Sequence, residues 1–228
     1  MKPALRRPCL ALVTDRHLCP RDDLVERVAL AVAAGVEMVE LREKDLPAGE
    51  LLALAGRLRE VTAGRALLVV NDRADVARAC AADGVHLPEA GLTVAAARQI
   101  IGPEMLVGRS VHSAAGAREA AAAGADYLIV GTIFPSPSKP GVAAAGVALL
   151  EEVAAQVKVP FLAIGGVSAQ NAASVVAAGA WGAAVISAIL ASPAPGVAAR
   201  ELLRELRAPE VALPERHEPS GKRKATPI

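Results

Sequence analysis

The sequence predicts an α/β fold, a single (β/α)₈ TIM barrel, on three observations. Short apolar runs alternate eight times with Ala/Leu-rich amphipathic stretches between Cys9 and Arg207. The connections are short, and several stretches close in Ala-Gly just before the next apolar run. An open doubly wound sheet carries a Gly-rich turn after its first strand, whereas here that place reads Thr14-Asp15-Arg16. The 228 residues suit one such barrel. With 53% hydrophobic but only 2% aromatic residues, the core must be Ala, Val, Leu and Ile, as for helices packed on parallel strands.

The expected strands are Cys9–Thr14, Met38–Arg42, Ala66–Asn71, Gly84–Leu87, Leu106–Ser110, Tyr127–Gly131, Phe161–Ile164 and Ala183–Ser187. Helices are expected over Leu24–Ala34, Ala48–Thr62, Ala74–Ala82, Val94–Ile101, Ala114–Ala123, Val147–Val157, Ala169–Ala178 and Gly196–Leu206. Three of them end in Ala34-Gly35, Ala123-Gly124 and Ala178-Gly179, where glycine fits the left-handed position past a helix. Lys2, Arg6 and Arg7 before Cys9–Val13 have the look of a signal peptide. The apolar run stops after five residues, too short for a signal core or a span. The catalytic barrel is expected over 1–207. Residues 208–228, rich in Pro, Glu, Arg and Lys without apolar periodicity, are expected to form a disordered tail.

Charge excludes one class of partner. The net charge is +1 with both signs interleaved, so no nucleic-acid footprint is present. Cys9, Cys19 and Cys80 are odd in number and lack metal-ligand spacing, as in a reduced cytoplasmic protein. No membrane partner is expected, and apolar helical faces leave a homodimer open.

Barrel chemistry sits at the C-terminal strand ends. Strand two exits through Glu40-Leu41-Arg42-Glu43-Lys44, and alternation puts Glu40, Arg42 and Lys44 on one face, toward the mouth. The plainer alternative is a structural Arg–Glu pair inside the barrel. Strand three exits through Asn71-Asp72, an amide and a hard carboxylate that suit magnesium or a polar ligand, or else a helix cap. On strand four, His86 reads as a hydrogen-bonded packing residue. His112, just past strand five beside Val111 and Ser113, is placed for acid–base work. The run 127–146 ends a buried strand in a loop bearing Ser136, Ser138 and Lys139, stiffened by Pro135, Pro137 and Pro140, which suits an anion. Gly165-Gly166 with a helix starting near Ser168, together with Ile186-Ser187 after strand eight, match the usual barrel phosphate site.

Taken together, these exits resemble the thiamine phosphate synthase/TenI superfamily (thiamine-phosphate pyrophosphorylase-like) over about residues 9–190. The resemblance rests on Leu41-Arg42-Glu43-Lys44, Asn71-Asp72-Arg73, Gly84-Val85-His86-Leu87, Gly108-x-Ser110-x-His112, Phe134-Pro135-Ser136-x-Ser138-Lys139, Ala163-Ile164-Gly165-Gly166 and Val185-Ile186-Ser187. It implies a thiamin-biosynthesis transferase that joins hydroxymethylpyrimidine diphosphate to thiazole phosphate and releases pyrophosphate. Arg42, Lys44, Asn71 and Lys139 would hold the diphosphate, and Asp72 would ligate Mg²⁺. Ser110, Ser136 and Ser138 would contact phosphate oxygens. Gly165, Gly166, Ile186 and Ser187 would bind the thiazole phosphate. Lys139, Ser110 and His112 are the candidate catalytic residues, and the partners are small phosphorylated molecules.

The chain departs from the synthase pattern in three places. Where synthases carry Gly-Gln-(Glu/Asp)-Asp, whose last Asp is a second magnesium ligand, this chain has Pro88-Glu89-Ala90-Gly91. Glu89 is then the alternative ligand. Glu40 replaces a Gln, and the loop 139–146 looks short and apolar, as in the TenI branch. Two alternatives therefore stand beside the synthase. One is a TenI-like thiazole tautomerase, with His112 as acid/base and no metal cofactor. The other is a non-catalytic phosphate-binding regulatory barrel.

Overall fold

The computed structural model describes residues 2–19, 23–136, 141 and 143–207. The expectations for Ser138, Lys139 and the tail 208–228 lie outside them. Eight parallel strands close into a barrel in chain order: β1 (Cys9–Val13), β2 (Met38–Leu41), β3 (Leu67–Asn71), β4 (Gly84–Leu87), β5 (Leu106–Val111), β6 (Tyr127–Gly131), β7 (Phe161–Ile164) and β8 (Gly182–Val185). β8 pairs with β1 to complete the ring.

Around the sheet run α1 (Leu24–Ala33), α2 (Ala48–Thr62), α3 (Ala74–Ala79), α4 (Val94–Ile101), α5 (Ala114–Ala122), α6 (Ala148–Gln156), α7 (Ala172–Ala177), the short α8 (Ser187–Leu190) and α9 (Pro195–Leu206). The barrel is the one expected, and it has two cores. Outward residues such as Leu12, Leu41, Val70 and Leu128 pack beneath the helices. Inward Ala11, Val13, Met38, Val69, Leu106, Tyr127, Ile129 and Leu162 fill the bore.

The Ala-Gly helix ends behave as the sequence predicts. Gly35, Gly124 and Gly179 all have positive φ. In each case the following residue donates back across the last turn, Val36 to the Ala31 carbonyl, Ala125 to Ala120 and Ala180 to Val175. These six-to-one bonds stop the helix and aim the chain directly into β2, β6 or β8. Aspartates guard the opposite face of the barrel. Asp83 accepts from the Leu68 N–H and Arg59, and Asp126 accepts from the Val107 N–H and Arg98. Each ties a strand start to the helix outside it.

Many element ends shift from expectation by one to three residues, and four of the differences have a local cause or consequence. β2 stops at Leu41, where the Arg42 N–H turns to the Thr14 hydroxyl at 2.9 Å. α3 ends at Ala79, ahead of Ala81 at positive φ. α7 begins at Ala172 because the Asn171 side chain binds the Ser168 N–H and the Gly166 carbonyl, competing with a helical start there. Ser187 closes no strand and instead opens α8, an element the sequence did not reveal.

Candidate active site

At the exits of β2 and β3, Asn71 and Asp72 are brought together with Lys44 around a cavity of about 290 Å³, whose wall also includes Arg73 and Pro88. Asp72 has φ 62, a left-handed conformation that Asp and Asn tolerate better than other side chains. Its N–H donates to the His86 carbonyl at 2.8 Å, which continues the β3–β4 ladder past the strand end. Neither Asn71 nor Asp72 caps α3, whose cap position is Arg73 without a side-chain bond. Capping therefore does not explain the Asn-Asp pair.

The strict alternation expected for Glu40, Arg42 and Lys44 is not observed, since Lys44 lies in a turn beyond the strand. Glu43 is buried and accepts from both the backbone and the guanidinium of Arg16. Arg16 also forms a bidentate pair with Asp45 at 2.6 Å, which clamps the β1 and β2 exit loops together. That pair holds the Asp45 carboxyl well below its usual range, with the Arg16 hydrogen bond as the main cause. Arg73 is likewise engaged with Asp75. The side chains of Lys44, Asn71 and Asp72 make no hydrogen bond or ion pair among the described residues.

Inside the mouth lies a polar layer. His86 is buried, with Nε2 2.8 Å from the Ser110 Oγ and Nδ1 3.2 Å from the Tyr127 hydroxyl. Burial pushes the imidazole down to about 3, and Arg109 and Arg42 add to the effect, so it is neutral at physiological pH. It is the hydrogen-bonded packing histidine that the sequence suggested. Tyr127 fits only because residue 108 is glycine: a Cβ there would stand 2.1 Å from the ring. Glu40 shares this interior. Burial raises its carboxyl to about 7, against the opposing pull of Arg42 and Lys44. Arg42 therefore acts electrostatically on both Glu40 and His86, as a cation at the barrel mouth must.

Across the mouth, the exits of β6, β7 and β8 enclose a second cavity of about 300 Å³. It gathers five of the expected residues, Ser136, Gly165, Gly166, Ile186 and Ser187, together with Thr132, which the sequence reading did not single out, and Ser168, expected there only as a helix start. Both glycines are obligatory. Gly165 has φ 96, and a Cβ there would stand 2.5 Å from the Thr132 methyl. Gly166 has φ 64, and a Cβ there would meet the Pro135 carbonyl at 2.4 Å. The Phe134 N–H donates to the Gly165 carbonyl, which locks this loop to the β6 exit. Backbone edges and hydroxyls facing a cavity, with no carboxylate among its lining residues, suit a phosphate group.

His112 and Glu89 form a separate, half-exposed pair at the rim, Nδ1 to Oε2 2.8 Å. His112 lines neither cavity, and Glu89 lines a third one with Arg109 and Ser110 rather than the cavity of Asp72. The loop from β4 to α4, which carries Glu89, is pinned by Arg109, whose guanidinium donates to the Glu89 and Leu92 carbonyls. Gly91 on that loop points its missing side chain at the carboxylate. A Cβ there would stand 2.9 Å from Asp72 Oδ1 and 2.9 Å from the Pro88 ring. The Asp72 oxygen thus borders a space that Gly91 keeps clear. A single hard carboxylate in such a space fits Mg²⁺, which takes one or two carboxylates and completes its shell from phosphates and water. No group of three or more His, Cys, Asp or Glu able to hold a metal occurs among the described residues.

Comparison with known proteins gives concordant matches. The family model for thiamine monophosphate synthase matches residues 10–189. A thiamine-phosphate synthase of Haloarcula marismortui is 45% identical over 196 residues, 84% of this chain and 93% of that protein. One from Methanoculleus marisnigri is 44% identical over 198 residues, 85% and 92% of the respective chains. The solved thiamine phosphate pyrophosphorylase from Pyrococcus furiosus superposes with TM-score 0.80 at 36% identity, covering 87% of this chain and 95% of that one.

Proposed function

This chain belongs to the thiamine monophosphate synthase family, and from that premise we propose that it joins hydroxymethylpyrimidine diphosphate to thiazole phosphate. The observation that carries this reading is the pair of unlike phosphate-directed clusters at one barrel mouth. A cavity at β7 and β8 lined by glycines and hydroxyl residues, with no carboxylate, suits a stationary phosphate. The Lys44–Asn71–Asp72 cluster suits a diphosphate that must accumulate charge as it departs.

In the reaction the thiazole nitrogen forms a bond to the pyrimidine methylene carbon. The bond from that carbon to the diphosphate oxygen breaks, and its electron pair leaves with pyrophosphate. Arg42, Lys44, Asn71 and Lys139 hold the diphosphate, and Ser138 joins the serines that contact phosphate oxygens; Ser138 and Lys139 lie outside the described residues. Ser110 and Ser136 contact phosphate oxygens. Gly165, Gly166, Ile186 and Ser187 fix the thiazole phosphate so that the nitrogen faces the methylene. Asp72 would hold Mg²⁺, which when bound supplies positive charge against the departing pyrophosphate.

Purified protein given both substrates and Mg²⁺ is expected to form thiamin phosphate and pyrophosphate, and to stop when EDTA is added. Folded protein that binds both substrates without product formation would refute the reading. The tautomerase is the weaker reading, because its acid/base candidate His112 is paired with Glu89 at the half-exposed rim and the reaction needs no Lys44–Asn71–Asp72 cluster. A regulatory barrel would have no use for the Lys44–Asn71–Asp72 cluster beside its phosphate pocket.

Pro88 and Gly91 set how tightly that metal is held. Gly91→Asp alone is expected to strain the loop, because its Cβ meets the rigid Pro88 ring. Pro88→Gly/Gly91→Asp removes that obstacle and sets a second carboxylate beside Asp72. Calorimetry without substrate should then show Mg²⁺ binding about tenfold tighter than wild type. Unchanged affinity would show that residue 91 does not face the ion.

The reading includes a cytoplasmic location, where the three cysteines stay reduced, and a homodimer, for which exposed Leu30 and Val197 offer apolar surface. Burial pushes the Cys9 thiol up to about 12 and the Cys19 thiol to about 11, so neither is a ready nucleophile. Among the described residues no helix is long and apolar enough to cross a membrane.

A further inference from the structure

We propose that Tyr127 and His86 are positioning residues that hold the Ser110 hydroxyl as a hydrogen-bond donor aimed at the substrate. The three groups form one chain, Tyr127 hydroxyl to Nδ1 at 3.2 Å and Nε2 to Ser110 Oγ at 2.8 Å. A neutral imidazole has one N–H and one bare nitrogen, so the chain has just two polarities. In the first, Tyr127 donates to Nδ1, Nε2–H donates to Ser110, and the serine hydrogen is left to point outward. In the second, Ser110 donates to Nε2, Nδ1–H donates to Tyr127, and the tyrosine hydrogen needs another acceptor.

Tyr127 decides between them. It is fully buried, and Nδ1 is the hydroxyl's one hydrogen-bond partner among the described residues. The second polarity would leave a buried O–H without an acceptor, which is the costly way to leave a hydroxyl. The first satisfies every group and presents a hydroxyl donor. A donor is what a phosphate oxygen, an acceptor only, requires of a serine. The geometry is fixed from beneath: Gly108 leaves the space the ring occupies, and His86 pairs in register with both Asn71 and Gly108.

The tautomer can be read without turnover. In ¹⁵N NMR of the full chain, His86 should show protonated Nε2 and bare Nδ1; the reverse pattern would overturn the proposal. The kinetic test rests on the synthase reading. Tyr127→Phe keeps the ring over Gly108 but lets the imidazole and Ser110 reverse. It should lower kcat/KM for the pyrimidine diphosphate about tenfold and leave KM for thiazole phosphate unchanged. In a Ser110→Ala background the same change should cost nothing further, whereas a merely structural tyrosine would cost the same in both backgrounds. Equal losses would overturn the relay. Nε2–H in a protein without synthase activity would sink the functional reading and leave the relay standing.

Discussion

Asp72→Asn is expected to reduce thiamin phosphate formation on the order of a thousandfold while leaving the affinity for thiazole phosphate unchanged. The amide has nearly the same shape and accepts the left-handed backbone at φ 62, so the fold has no reason to change. What it removes is the negative charge beside the space Gly91 keeps clear. Asp72→Ala should show the same loss of turnover and also lower stability by about 1 kcal/mol, since alanine pays the left-handed penalty that Asn avoids. Titration of each variant with Mg²⁺ and pyrophosphate supplies a readout independent of turnover. Coupled binding should be lost in both. Wild-type turnover in Asp72→Asn would remove Asp72 from the metal assignment.

Glu40→Gln should have the opposite character, a gain in stability that appears only as the pH rises. The Glu40 carboxyl is near 4.5 in the unfolded chain and about 7 in the barrel, where burial disfavours the anion. Between those values the folded state binds more protons than the unfolded one, so stability falls as pH increases. The wild type therefore loses about 3 kcal/mol from this group between pH 4.5 and pH 7 and above. Glutamine cannot ionise. Urea denaturation should find the two proteins alike at pH 4.5 and the variant more stable by about 2–3 kcal/mol at pH 8. A constant difference across that range would mean that Glu40 does not titrate where its burial puts it.

The barrel was legible because its strands and helices differ in period and because glycine ended helices where it had to. The backbone pocket was legible for a related reason: Gly165-Gly166 and Ile186-Ser187 are local signals whose meaning depends little on distant residues. The other half of the site was read less well. Lys44 was placed by alternation, yet the strand ends at Leu41 and a turn delivers Lys44 to Asn71 and Asp72. Glu43, outward on that same pattern, is buried against Arg16, a contact that spans 27 residues and leaves no local trace. The pairing of Glu89 with His112 and the dependence of Tyr127 on Gly108 also lie between strands, where sequence periodicity is silent. Ser187 shows the remaining limit. An α-helix of four residues is shorter than the apolar repeat needed to detect it.

The cavity at β7 and β8 depends on two positions where no side chain fits, and this sets how it can change over generations. Most substitutions around it alter a side chain while leaving the N–H and C=O groups where they were. At Gly165 and Gly166 that freedom ends, because any β-carbon collides with Thr132 or with the Pro135 carbonyl. Lineages of this barrel can therefore trade away the charged cluster at β2 and β3 one residue at a time. The pocket at β7 and β8 has no such gradual route at Gly165 and Gly166.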